Sequence, residues 1–309
     1  MKIFGTVAMT VYMLMIAASD PAEAEPPRHD RDSAQIGALQ SYTTGKEDTL
    51  LEIARRFDLG FVELLAANPG IDPWVPGAGI KITLPTAHLL PLAPRRGIVL
   101  NLAEQRLYFF PPDGGKILTF PVGTGMAGYE MPLTTTRVSG KRINPTWVPP
   151  ASIRAERPEL PASIPPGPDN PLGAYAIDLA LSEYLIHGTN KPFGIGRRVS
   201  HGCTRLYPED IATLFPLVKP GTTVAIVNQP VKMRWVEGEL YMEIHPTQTQ
   251  ADEIEATGLF TPEQIPELEF RTLQISGNQS HRLNWPLIHE VATKRLGIPI
   301  RVTVPKLPD

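Results

Sequence analysis

The hexapeptide Ser200-His201-Gly202-Cys203-Thr204-Arg205 gathers most of the reactive side chains of this sequence, and Cys203 is its only cysteine. A lone cysteine cannot form an internal disulfide. A free cysteine is ordinarily a small buried apolar residue, but the surroundings of this one describe a polar, tightly turned backbone. Glycines (Gly188, Gly194 and Gly202 among them), two imidazoles (His187 and His201) and several cations lie from His187 to Arg205. A thiol attacks as its thiolate, which an adjacent imidazole or cation makes available near neutral pH. His201 is two residues from Cys203 and on an extended backbone would face the same side. His187 ends a candidate strand sixteen residues upstream, and the excursion between them is long enough to return beside the cysteine. Gly202 permits close backbone approach, and the amides of residues 202–204 can form an oxyanion hole. These residue types together point to acyl transfer through a thioester.

Elements on both sides must position this set. Lys2, an apolar run over residues 3–18 and Ala22-Glu23-Ala24 have the pattern of a cleaved export leader covering residues 1–24. The run, at roughly fifteen residues, is short for a membrane span, so no span is expected once the leader is removed. The formal charge is -3, and loss of Lys2, Asp20 and Glu23 makes it -2. Near-neutrality disfavours a nucleic-acid partner, which would call for a basic face. Residues 25–40 read as a polar linker. From Ser41 the pattern becomes strand, helix, helix, strand: Tyr42 to Gly45, a Thr49-Leu50-Leu51-Glu52 capping box leading to Ile53, Ala54 and Phe57, a second helix ended by Asn68-Pro69-Gly70, and alternation up to Leu84-Pro85.

Residues 87–95 read as a proline-spaced linker. Short strands then follow over residues 97–102, 105–110 and 116–122, then 174–181, 183–186 and 222–227, with a helix opened by Pro208. This succession predicts a mainly β domain over residues 96–230, a sandwich or partly open barrel. Gly123-Thr124-Gly125 lacks the lysine and helix of a phosphate loop. The chain has 34 prolines, nine of them between Asn144 and Pro171. That segment must be a long, stiffened loop, since proline cannot donate to a sheet ladder. Such loops commonly form lids or binding walls, and Trp147 within it can stack on a substrate or anchor the loop. Residues 231–309 predict an α+β extension with a hairpin and two amphipathic helices. His281 and His289 lack a carboxylate or cysteine at ligand spacing, so no metal site is expected.

Two resemblances complete the reading. Residues 41–86 resemble a LysM module, a βααβ domain that binds N-acetylglucosamine-containing glycans, through Tyr42, Gly45, Asp48-Thr49-Leu50, Ile53-Ala54, Phe57, Asn68-Pro69 and Ile82-x-Leu84-Pro85. The segments His187-Gly188-Thr189-Asn190-Lys191 and Ser200 to Leu206 resemble the L,D-transpeptidase (YkuD) catalytic domain. Val122-Gly123-Thr124-Gly125, Asn144-Pro145-Thr146-Trp147, Pro149 to Arg154 and Gly167 to Gly173 are similar to its ErfK-like periplasmic branch, from which Thr204 departs where an aliphatic residue is usual.

The resemblance implies a nucleophile at Cys203 and a general base at His187, with the Gly188 carbonyl orienting the imidazole. Ser200, His201, Gly202 and Thr204 would support the site and oxyanion hole, while Arg205, Trp147 and Asn190 would bind substrate. It implies a periplasmic enzyme, without cofactor, acting on peptidoglycan tetrapeptide stems. Terminal D-alanine would leave and the acyl group would pass to diaminopimelate, giving a 3→3 cross-link. Transfer to the C-terminal lysine of an outer-membrane lipoprotein is the alternative within the family, and a non-catalytic wall-binding scaffold the alternative outside it. A papain-like peptidase is disfavoured because there the cysteine precedes the histidine.

Overall fold

The computed structural model describes residues 33–304. The expected leader, residues 1–24, lies outside the described residues. The chain begins with β1 (Gln35–Gly37) and β2 (Gln40–Thr43), followed by α1 (Leu50–Arg56), α2 (Phe61–Ala67), β3 (Lys81–Leu84) and β4 (Ala87–Leu89). β2 and β3 pair antiparallel with Tyr42 opposite Ile82. The Thr49 hydroxyl oxygen caps α1 by accepting from the Glu52 amide at 3.2 Å, while the Glu52 carboxylate accepts the Thr49 hydroxyl proton instead of reaching the Thr49 amide. Asn68 fastens α2 to β3: its side chain donates to the Leu64 and Thr83 carbonyls and accepts from the Thr83 amide.

The two stretches expected as linkers are in part sheet. β1 pairs antiparallel with β4, placing Ile36 opposite His88. Ile36, Leu89 and Leu90 are buried, so this short ribbon is held by apolar burial that its brief segments do not advertise.

The middle of the chain contains β5 (Gly97–Asn101), β6 (Arg106–Phe110), β7 (Leu118–Pro121), β8 (Thr124–Gly125), β9 (Thr134–Ile143), α3 (Ala151–Glu156), β10 (Tyr175–Leu179), β11 (Leu185–His187), β12 (Arg198–Ser200), β13 (Thr204–Arg205), α4 (Pro208–Leu217) and β14 (Thr223–Val227). Eight of these strands form one mainly antiparallel sheet in the order β13-β11-β10-β9-β14-β5-β6-β7, with β14–β5 and β11–β13 parallel. Alternation assigns its two faces. Ile98, Leu100, Leu107, Phe109, Val224 and Ile226 pack with Ile211 and Leu214 of α4, whereas Val99, Tyr108, Phe110 and Ala225 form a second cluster. β9 was not anticipated. It lies within the sheet, yet Val138 is its only buried residue.

The chain closes with β15 (Val231–Val236), β16 (Glu239–Ile244), α5 (Gln248–Thr257), α6 (Leu268–Ser276), α7 (Trp285–Lys294) and β17 (Ile300–Arg301). The hairpin and the helices at α5 and α7 match expectation; α6 does not appear in it. Ala251 and Ile254 of α5 join the apolar cluster of α1 and α2, so the last unit packs against the first. A buried ionic cluster ties the units further: Lys232 Nζ lies 2.8 Å from Glu104 and 2.7 Å from Glu243, and donates to the Leu89 carbonyl at 2.6 Å.

Candidate active site

β11 delivers His187 at its end, and residues 188–203 loop out and return as β13. The parallel register sets Ile186 opposite Thr204 and His187 opposite Arg205. Opposed residues of parallel strands face the same side and successive ones alternate. Arg205 therefore shares a face with His187, and Cys203, two residues earlier, approaches that face. The excursion is anchored along its length. The Gly196 amide donates to the Val122 carbonyl, the Thr124 amide to the Arg197 carbonyl, and the α2 amides of Phe61 and Val62 donate to the Ile195 and Gly196 carbonyls. Gly196, at φ +71°, passes so close that a Cβ there would sit 2.2 Å from the Gly60 Cα.

His187 is buried, and its Nδ1 lies 2.6 Å from the Gly188 carbonyl oxygen. A carbonyl only accepts, so Nδ1 carries the proton and Nε2 is left as the basic nitrogen. Burial, reinforced by the Arg205 guanidinium, pushes the imidazole pKa down to about 3. Cys203 is half-buried, and its Sγ lies 3.6 Å from the Glu183 carbonyl oxygen. Burial raises the thiol pKa; the Leu185 amide and Arg205 oppose the rise without cancelling it. Both groups are thus shifted toward their neutral forms. Sequence alone predicted cationic surroundings that favour the thiolate; desolvation outweighs them here.

The 200–203 turn is closed by Ser200, whose hydroxyl donates to the Cys203 carbonyl at 2.6 Å. Gly202 has φ +101°, and a Cβ there would meet the Tyr184 ring at 3.0 Å. That left-handed residue breaks the extended geometry on which His201 was expected to face Cys203. His201 instead pairs through Nε2 with Glu156 of α3 at 2.9 Å and packs edge-on against Tyr129 at 4.7 Å. The Thr204 side chain is buried, on the opposite strand face from Arg205. Its hydroxyl thus has the place of an inward-facing core residue.

Comparisons with known proteins identify the family. The model of the L,D-transpeptidase catalytic domain (YkuD) matches residues 95–226. The chain is 40% identical over 299 residues to the probable L,D-transpeptidase YcfS of Escherichia coli (strain K12), covering 93% of this chain and 91% of that protein. It belongs to the L,D-transpeptidase family. Identity to the probable L,D-transpeptidase YbiS of the same organism is 37% over 279 residues, 87% of this chain and 89% of that one. The solution structure of the Enterococcus faecium L,D-transpeptidase catalytic domain matches with a TM-score of 0.35 and 21% identity, over 44% of this chain and 99% of that one.

The remaining expected residues of the transpeptidase are more scattered. Asn190 uses its side-chain amide to bind the Asp169 carbonyl at 3.0 Å, joining two loops. Trp147 is half-buried, and its backbone pairs with Ile164 across the proline-rich loop. Arg205 is half-buried and influences both His187 and Cys203. Tyr129, Glu156 and Glu183 also lie against His201 or Cys203, which no motif in the sequence marks. The one local signal for them is the proline density around Glu156; Tyr129 and Glu183 reach the site only through tertiary folding. Gly173, at φ +66°, packs against the backbone of Gly188 and Thr189, where a Cβ would meet Thr189 N at 2.8 Å. His88, Glu104 and Glu243 converge closely enough to hold a cation, and the Lys232 ammonium contacts both carboxylates. In the tail, His289 meets Glu269 at 3.1 Å in an exposed pair.

Proposed function

We propose that this transpeptidase uses Cys203 as nucleophile and His187 as general base on peptidoglycan tetrapeptide stems. The carrying observation is the shared face of β11 and β13, which sets His187, protonated on Nδ1, opposite Arg205, with the chain's only thiol two residues before that arginine. His187 Nε2 takes the thiol proton as sulfur attacks the carbonyl of the third stem residue, diaminopimelate. Amides of the 202–204 turn face the developing oxyanion, a role in which preorganised donors are worth several kcal/mol. The Arg205 amide is already committed to the Gly123 carbonyl at 2.9 Å and takes no part. Collapse breaks the peptide bond, and the imidazolium returns its proton to the departing D-alanine amine. An acceptor amine then attacks the thioester, gives its proton to His187, and forms the new amide as sulfur leaves as thiol. The acceptor is a second diaminopimelate side chain, giving a 3→3 cross-link.

The β2-α1-α2-β3 unit supports a LysM-like role in holding glycan strands, and the leader-like residues 1–24 support a periplasmic location. The test is intact mass and product analysis of residues 25–309 with purified disaccharide-tetrapeptide, with and without a lysine-terminated lipoprotein peptide, alongside Cys203→Ala and His187→Ala. A Cys203-dependent tripeptide adduct followed by dimeric muropeptide is the expected result. Transfer only to the lysine peptide would replace cross-linking by lipoprotein anchoring. No adduct, with binding to sacculi retained, would leave a wall-binding scaffold.

A further inference from the structure

Arg198 is the buried cation of β12, 7% exposed and two residues before Ser200. Its guanidinium reaches in two directions. Nη1 donates to the Gln248 carbonyl at 3.1 Å and to the Asp252 carboxylate, both on α5; Nη2 donates to Glu130 Oε1 at 2.9 Å. Glu130 also accepts from the Gly128 amide at 3.0 Å, which closes the loop 126–130. That loop borders the 200–203 turn directly. Its Met126 amide donates to the Ser200 carbonyl at 3.0 Å, and the Tyr129 carbonyl lies against Gly202. The Tyr129 ring packs on His201, and its hydroxyl donates to Glu156 at 2.5 Å.

One guanidinium therefore links a helix of the C-terminal unit to the loop that supports the 200–203 turn and meets α3 of the proline-rich segment. Its planar fork fits two carboxylates at fixed angles, which a lysine ammonium cannot reproduce. Removing either carboxylate leaves a buried charge half-compensated, so the loop is expected to shift.

We propose that Arg198 is a positioning residue for transpeptidation: with Asp252 and Glu130 it fixes Tyr129, and through Tyr129 both His201 and Glu156, making α5 part of the active-site framework. The proposal rests on Cys203 being the nucleophile.

The test compares wild-type residues 25–309 with Asp252→Asn, Glu130→Gln and Arg198→Lys. Three quantities are measured: kcat and KM for adduct formation from disaccharide-tetrapeptide, the pH profile of Cys203 alkylation by chloroacetamide, and Tm. The expected result is a fall in kcat of roughly tenfold to a hundredfold, the scale of an ångström-level misplacement, together with faster alkylation because the turn around Cys203 loosens. Asp252→Asn and Glu130→Gln keep side-chain shape and guard against a misfolded arginine variant. A lower Tm with unchanged kcat, KM and alkylation profile would make the network purely structural and overturn the proposal. If wild type forms no adduct, the catalytic reading fails separately, and an unchanged alkylation profile in the variants then still overturns the positioning role.

Discussion

Arg205 stands directly opposite His187 on adjoining parallel strands, and its charge both holds the imidazole neutral and favours the thiolate of Cys203. Burial still leaves the thiol above its ordinary pKa. Alkylation of Cys203 is therefore expected to rise with pH through a midpoint above the usual thiol range, with no plateau of reactive thiolate in weak acid. Arg205→Met should move that midpoint further up, slowing alkylation near neutral pH about tenfold for each unit moved. A midpoint below the usual thiol range would contradict the neutral-pair description of the site.

His187 is buried neutral with its pKa pushed down to about 3 by burial and by Arg205. In the unfolded chain it takes a proton near pH 6.5. Its contribution to stability is therefore complete above about pH 6.5 and is lost progressively as pH falls toward 3. His187→Gln should flatten the dependence of Tm on pH in that window. An equally steep acid dependence in the variant would show that other groups dominate it.

Asp58, just past the end of α1 and half-buried, meets the buried Asp210 of α4 across the junction of the first and middle units. Burial raises Asp58 to about 6 even though the Asp210 hydrogen bond favours its ionised form; burial, the charge of Asp58 and that same hydrogen bond raise Asp210 well above its ordinary value. A raised carboxyl contributes stability that is fully present below its unfolded pKa and is lost as pH rises from there through the folded one, for Asp58 by about 6 and for Asp210 at higher pH. Asp210→Asn is expected to raise Tm at pH 8 relative to wild type by more than at pH 5. Equal shifts at the two pH values would rule out a shared proton.

Lys232 lies fully buried between Glu104 and Glu243. Lys232→Met would strand two carboxylates, at a cost of about 3–5 kcal/mol. Adding Glu243→Gln should recover part of the loss. Urea titrations of both variants measure the difference, and a single variant as stable as wild type would mean that the lysine is not the neutralising charge.

Gly196→Ala combines a φ of +71° with a contact of 2.2 Å to the Gly60 Cα, whereas Gly128, at φ +83°, has open space around its Cβ position. Gly128→Ala should cost only backbone strain, about 1 kcal/mol. Gly196→Ala should cost clearly more and also slow adduct formation, because the excursion carrying Cys203 must shift away from α2. Equal costs would show that α2 does not hold the excursion.

Features written in consecutive residues were legible from the sequence by itself. The cap at Thr49, the apolar spacing of Leu50, Ile53 and Ala54, the strands β5 to β7, and the His187 and Cys203 motifs each depend on neighbours a few positions away. Only the tertiary structure decided the rest. β9 has one buried residue because its neighbours β10 and β14 hold it by hydrogen bonds along both edges, so no apolar period marks it. The β1–β4 ribbon joins segments some fifty residues apart. Strand alternation misplaced His201 because a single left-handed residue, Gly202, reverses the chain beside it. Arg198 and Lys232 look like surface charges until partners distant in sequence, Asp252, Glu130, Glu104 and Glu243, converge on them. The resting charge of Cys203 follows the same logic: residue types supply the cations, but desolvation depends on what the whole fold packs around the thiol.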